Sequence, residues 1–163
     1  QGVSSAASDV YKRQIQVWGS DRVGVRLSPY GTFNDMSDKD PVGLFTHVIE
    51  QLNPLNLAYL HMIEPRSTSA GGNDEVTKDV PSTSELFKKL FKGKVIMAGG
   101  YDRASAEAAV SSGQADAVAF GRLYISNPDL AERFAQNAAL TPYDRSTFYG
   151  GAEKGYTDYP TLT

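Results

Sequence analysis

Three short stretches of this 163-residue sequence put a cation or paired glycines where a strand gives way to a loop, a pattern suited to holding anions. Arg26 lies in the apolar run RVGVRLS from Arg22 to Ser28. Strand side chains alternate in direction, so Val23, Val25 and Leu27 share one face and Gly24, Arg26 and Ser28 the other. A buried guanidinium keeps its charge and needs an acceptor. Either Glu64, beyond the next strand, or an anionic ligand meets that need; from this strand alone the ion pair is the simpler reading. Gly99 and Gly100 stand in AGGYD, from Ala98 to Asp102, where backbone amides lie open to close approach and a helix start favours negative charge. Gly121 and Arg122 follow a later strand; glycine again gives access, and arginine can grip a phosphate through two parallel hydrogen bonds. Each glycine turn taken alone is ordinary turn chemistry.

Other reactive types are scarce. His61 falls inside an apolar strand, where a hydrogen-bonded core histidine is expected, and His47 falls on the polar side of a helix. Neither has a partner at metal-ligand spacing, so no metal site is expected. The absence of cysteine excludes disulfides, thiolate catalysis and Cys-ligated zinc within these residues and is compatible with a reducing compartment; a cytoplasmic location is expected. The formal charge of −3 gives no support for nucleic acid as a partner, and no run of apolar residues is long enough for a transmembrane helix. The stretch from Glu64 to Pro81 is long for a loop after a strand, and such loops are usually functional or mobile. The Tyr-rich tail from Thr141 reads as packed coil.

The positioning elements alternate strand and helix. Strands are predicted at Arg22–Ser28, Leu57–Ile63, Lys94–Ala98 and Asp116–Phe120. Asp40 and Pro41 open a helix with Leu44, Phe45, Val48, Ile49 and Leu52 on one face. Ser84 is the expected cap of a helix burying Leu86, Phe87, Leu90 and Phe91. Asp102 caps an Ala-rich helix that stops at Gly113, and Asn127 with Pro128 opens a last helix carrying Leu130 and Phe134. Residues 1–14 show no sustained period and are read either as a helical lead-in or, preferably, as non-native or disordered sequence; residues 15–163 form the domain proper. Four strand–helix units mean parallel βαβ architecture, either an open sheet or half of a (β/α)8 barrel. Barrel enzymes frequently bind phosphate in the loops after their last two strands. If these are the last four strands, Gly99–Gly100 and Gly121–Arg122 occupy that place.

Several motifs then carry a family resemblance: RVGVRLSPYGTFNDM from Arg22, IEPR from Ile63, MAGGY from Met97, VAFGR from Val118, NPDL from Asn127, FYGG from Phe148 and GYTDYP from Gly155. In this order they resemble the carboxyl-terminal half of the Old Yellow Enzyme family, of the N-ethylmaleimide reductase and oxophytodienoate reductase type. The resemblance implies an α/β fold, four βα units from the carboxyl-terminal half of a (β/α)8 TIM barrel. It implies FMN as cofactor, NADPH or NADH as reductant and a small activated alkene as substrate. By matching motif, Arg26 contacts the N1/C2 edge of the flavin, Gly99, Gly100, Gly121 and Arg122 hold its phosphate, and Tyr149 lies near flavin and substrate. The family's amino-terminal half is absent from these 163 residues, with its substrate-holding His pair, its proton-donating Tyr and its flavin-binding Thr and Gln. The chain alone is therefore expected to be an inactive fragment that needs a missing barrel half or self-association. A phosphate-binding half barrel of another kind, or a non-catalytic truncated module, are the alternatives.

Overall fold

The computed structural model describes residues 3–32, 35–65, 80–150 and 152–162. The contacts divide the chain into two compact units, Gln1–Ala119 and Phe120–Thr163, a division the sequence does not announce.

The first unit is built on four parallel strands in the order β1-β2-β3-β4: Gly24–Leu27, Tyr59–Ile63, Val95–Ala98 and Ala117–Ala119. Their register sets Arg26 opposite His61 and His61 opposite Ile96. One sheet face carries Leu60, Met62, Val95 and Met97, all fully buried, with Val25, Leu27 and Val118 packed on the same cluster. Three helices supply its partners. These are α2 (Pro41–Leu52) through Ile49 and Leu52, α3 (Thr83–Phe87) through Phe87, and α4 (Arg103–Ser111) through Ala109. The opposite face, with Arg26, His61 and Ile96, carries none of the fully buried side chains. Covering one face of a parallel sheet with helices and leaving the other for a barrel interior is the (β/α)8 pattern in four units.

Local chemistry accounts for two of the helices. The Asp40 carboxylate accepts the Gly43 amide at 2.9 Å, with Pro41 in the first turn of α2. Asp102 and Ser105 form a reciprocal capping box on α4, and Gly113 takes φ +78° just beyond its end. The expected α2 stripe is narrower than predicted, because Leu44 is 43% exposed. The expected Ser84 cap is not formed: α3 begins at Thr83, and the carboxylate of Glu64 receives its first amides. Residues Val3–Trp18 form α1, and Tyr11 and Ile15 pack on the core. Residues 3–14 are therefore helical, as the helical lead-in reading had it. At the amino ends of the strands, Asp116 takes Lys88 Nζ at 2.6 Å, Lys94 Nζ at 3.0 Å and the Val95 amide at 2.9 Å. The Lys88 bond first, then the Val95 amide, hold its carboxyl well below the usual range.

The second unit contains α5 (Arg122–Ser126), α6 (Leu130–Gln136) and a 3-10 turn at Arg145–Thr147. Asn127 does not open a helix. It is buried, and its side chain accepts the Thr141 amide at 2.7 Å while donating to the carbonyls of Leu123 and Thr141. Asp129 takes the position before α6 instead, makes no side-chain bond to its first amides, and pairs with Arg133 Nε at 2.7 Å. Arg133 donates onward to the Ala139 and Pro160 carbonyls, and Asp129 accepts the Leu162 amide, so one ion pair fastens the tail. Phe134 meets Phe120 edge-on at 5.1 Å.

Candidate functional site

The carboxyl ends of the strands carry the candidate residues of the first unit. Arg26 is exposed on the sheet face away from the helices, as its alternation with Val25 and Leu27 requires. The ion pair with Glu64 does not form, and among the described residues no other ion pair engages Arg26. Glu64 is 2% exposed and already satisfied. It accepts Ser82 Oγ at 3.0 and 3.1 Å, the Thr83 amide at 2.7 Å, the Ser84 amide at 3.1 Å and Tyr101 Oη at 3.0 Å. A carboxylate has about four lone-pair positions, so little is left for a guanidinium.

Beside Arg26, His61 has its Nε2 buried with no hydrogen-bond partner, unlike the satisfied core histidine expected from sequence. Burial first, and the Arg26 charge second, hold the imidazole below its ordinary pKa of 6.5. The unfolded chain then takes up the proton more readily than the folded one. Stability is expected to fall as pH drops below about 6.5. Urea midpoints for the wild type and His61→Asn, taken between about pH 7 and pH 5, check this: the variant's dependence is expected to be shallower.

Gly99 and Gly100 adopt φ +103° and +74°, backbone that side-chain-bearing residues rarely take. A Cβ on Gly99 would lie 3.2 Å from the Glu64 carbonyl oxygen and 3.3 Å from Ile63 Cγ2. Arg26 is level with Ile96, so Gly99 stands three residues further along the sheet, about 10 Å, and two strands across, about 10 Å. A ligand that engages both positions must be extended, with negative character at each end.

The second unit carries the remaining candidates. Gly121 caps α5 at φ −101°, so its conformation does not demand glycine, but no heavy atom lies within 4 Å of where its Cβ would be. Arg122 stands 5.9 Å from the centroid of the Tyr143 ring and Arg145 5.8 Å from the same ring, within reach of cation–π attraction. Phe148 meets Tyr143 at 5.5 Å and Tyr149 at 6.3 Å. Tyr149 itself is 84% exposed and packs little. Arg66 of the IEPR motif, Gly151 of FYGG and most of the long Glu64–Pro81 stretch lie outside the described residues. Sequence reasoning named Glu64 only as a partner for Arg26; its real partners were signalled by the Ser82–Thr83–Ser84 run and by Tyr101 after the glycines.

A four-stranded parallel βα sheet with its helices on one face, Arg26 on the other and a left-handed glycine turn at a strand's carboxyl end defines part of a (β/α)8-type barrel. The comparisons make this particular. The sequence model of the NADH:flavin oxidoreductase / NADH oxidase family matches residues 9–141, and the chain belongs to that family. It is 46% identical to 12-oxophytodienoate reductase 1 of Oryza sativa subsp. japonica over 158 residues, covering 96% of this chain and 40% of the relative. Among solved structures it resembles morphinone reductase in complex with tetrahydroNAD, with TM-score 0.84, 41% identity and 96% of this chain covered. It also resembles the old yellow enzyme from Trypanosoma cruzi, with TM-score 0.86, 34% identity and the same coverage. The chain spans about 40% of the length of each of these two proteins, a partial barrel.

Proposed function

We propose that this chain is the FMN-holding part of an ene-reductase that uses NADPH or NADH to reduce small activated alkenes. The observation that carries the reading is the separation of Arg26 from the Gly99–Gly100 turn, which asks for a long ligand with an anion at one end and an electron-rich edge at the other. The residues suit FMN: a left-handed glycine turn that side chains would fill, and an exposed guanidinium on the helix-free face. Arg26 would hold the N1/C2 edge of the ring, where a fixed positive charge stabilises gathering negative charge. Gly99 and Gly100 would hold the phosphate, a role the family motif also gives to Gly121 and Arg122. The exposed Tyr149 would serve the flavin and substrate side. When bound, FMN supplies hydride transfer from the nicotinamide to the alkene β-carbon.

The partial coverage of the relatives bears on activity and partners. Hydride transfer needs coenzyme and substrate fixed in reacting geometry, and the chain is read as inactive alone. The outer strands β1 and β4 each have one neighbour among the described strands, which suits completion by a further barrel half or by self-association. Among the described residues no helix is long and apolar enough to cross a membrane. A cysteine-free chain suits a reducing compartment such as the cytoplasm.

The test is titration of the purified chain with FMN, followed by flavin fluorescence. Saturable binding is expected, and Arg26→Met is expected to weaken it roughly tenfold or more, the loss of a charge-assisted contact. With NADPH and an enone added, no sustained turnover is expected. No saturable binding, or an unaltered affinity in Arg26→Met, would overturn the reading. Phosphosugar binding without FMN binding would favour the other half-barrel reading.

A further inference from the structure

We propose that Glu64 is a positioning residue for the Gly99–Gly100 turn, holding it from both sides. Its backbone amide donates to the Ala98 carbonyl at 2.8 Å, immediately before the glycines. Its side chain accepts the Tyr101 hydroxyl at 3.0 Å, immediately after them. Its own backbone carbonyl lies 3.2 Å from the Cβ position of Gly99, so the turn rests on this residue. The Ser84 amide donates to the same oxygen as Tyr101, the Thr83 amide to the other oxygen and Ser82 Oγ to both, while Thr83 Oγ1 donates to the Ile63 carbonyl at 3.0 Å. Glu64 is buried, and its bonds from the Thr83 and Ser84 amides are made where water does not compete. The arrangement ties the end of β2, the start of α3 and the turn after β3 through one carboxylate.

A left-handed glycine pair has wide conformational freedom, and a turn that must present its amides to a phosphate needs that freedom removed before binding. Tyr101 and the Ala98 carbonyl flank the pair, and Glu64 holds both. Ser82 Oγ meets both oxygens of the same carboxylate from the start of α3 and bonds Ser84 Oγ rather than the glycine turn, which makes it the natural control.

The functional half of the proposal rests on the FMN reading above, so the test has a readout that needs no FMN. The full chain is prepared as wild type, Tyr101→Phe, Glu64→Gln, the double variant of these two, and Ser82→Ala. The first readout is the pair of glycine amide cross-peaks of Gly99 and Gly100 in a nitrogen–proton correlation spectrum without ligand. The second is FMN affinity by fluorescence titration. Tyr101→Phe keeps the ring and removes only the hydroxyl. It is expected to shift or broaden both glycine peaks and to weaken FMN binding roughly three- to tenfold, the scale of one hydrogen bond to a charged group. Ser82→Ala is expected to leave both glycine peaks and the affinity in place. Glu64→Gln with Tyr101→Phe is expected to be no worse than Glu64→Gln alone, because the two share one bond. Unmoved glycine peaks in Tyr101→Phe overturn the proposal, whatever FMN does; should Glu64→Gln fail to fold, Tyr101→Phe still decides it. Equal effects of Ser82→Ala and Tyr101→Phe on the peaks also overturn it, by showing a general role in stability. Moved peaks with no FMN binding by the wild type would support the positioning role and overturn the coenzyme reading.

Discussion

Phe87→Ala is expected to remove about 3–5 kcal/mol from the stability of the first unit, the range for deleting a buried aromatic ring. Phe87 is fully buried and belongs to the cluster formed by Leu60, Met62, Val95 and Met97 on the sheet and Ile49 and Leu52 on α2. It is also the last residue of the five-residue α3, whose first turn is tied to the end of β2 by polar bonds and whose last turn rests on this ring. A helix this short has no independent stability, so its packing must come from tertiary contact. The loss is a large fraction of what a small domain has in hand. Urea unfolding followed by far-ultraviolet circular dichroism measures it. Leu44→Ala is the matched control, expected near neutral because Leu44 is largely exposed despite its place in the apolar sequence pattern. Equal shifts in the two variants would show that the core is centred elsewhere.

Gly99→Ala is expected to act on stability and ligand together. At φ +103° an alanine is strained by about 1–3 kcal/mol. Its methyl would also stand 3.2–3.4 Å from the Glu64 carbonyl oxygen and amide nitrogen and from Ile63 Cγ2, of which the backbone atoms cannot swing away. The turn is expected to move to relieve this, and FMN affinity to fall roughly tenfold or more, since misplaced amides no longer converge on the phosphate. Gly113→Ala provides the comparison. It has φ +78° with nothing within 4 Å of the Cβ position, so it carries backbone strain without collision. Its expected effect is a smaller loss of stability and unchanged FMN affinity. Thermal melts and fluorescence titrations of the two variants side by side separate the contributions.

What the sequence made legible divides by range of interaction. The caps of α2 and α4 are written within three residues, Asp40 to Gly43 and Asp102 to Ser105, and both form as read. The face of Arg26 follows from a period of two in a single strand. By contrast, the α3 cap comes from Glu64, nineteen residues before Thr83, and no local pattern announces it. Asn127 precedes a proline and looks like a helix start, yet Thr141, fourteen residues on, claims its side chain. The five residues of α5 are too few to display a helical period. Four strands were placed correctly but one to three residues too long in total at their ends, because apolar residues such as Val23 and Leu57 continue the core beyond the paired ladder. The sheet face that carries Arg26 and the turn at Gly99–Gly100 were readable by type and position, whereas the network that denies Glu64 to Arg26 was not.

The strand sequence has a consequence for how recognition is distributed. β3, which leads into the glycine turn, is flanked on both sides by paired neighbours, whereas β1, which bears Arg26, is a margin of the sheet. Under the proposed coenzyme reading, the hold on one end of an elongated guest would be woven into the interior of the fabric, and the hold on the other end would sit at its selvedge. A strand laid against that border would meet the guanidinium's strand before the turn's, so affinity and reactivity could be adjusted separately.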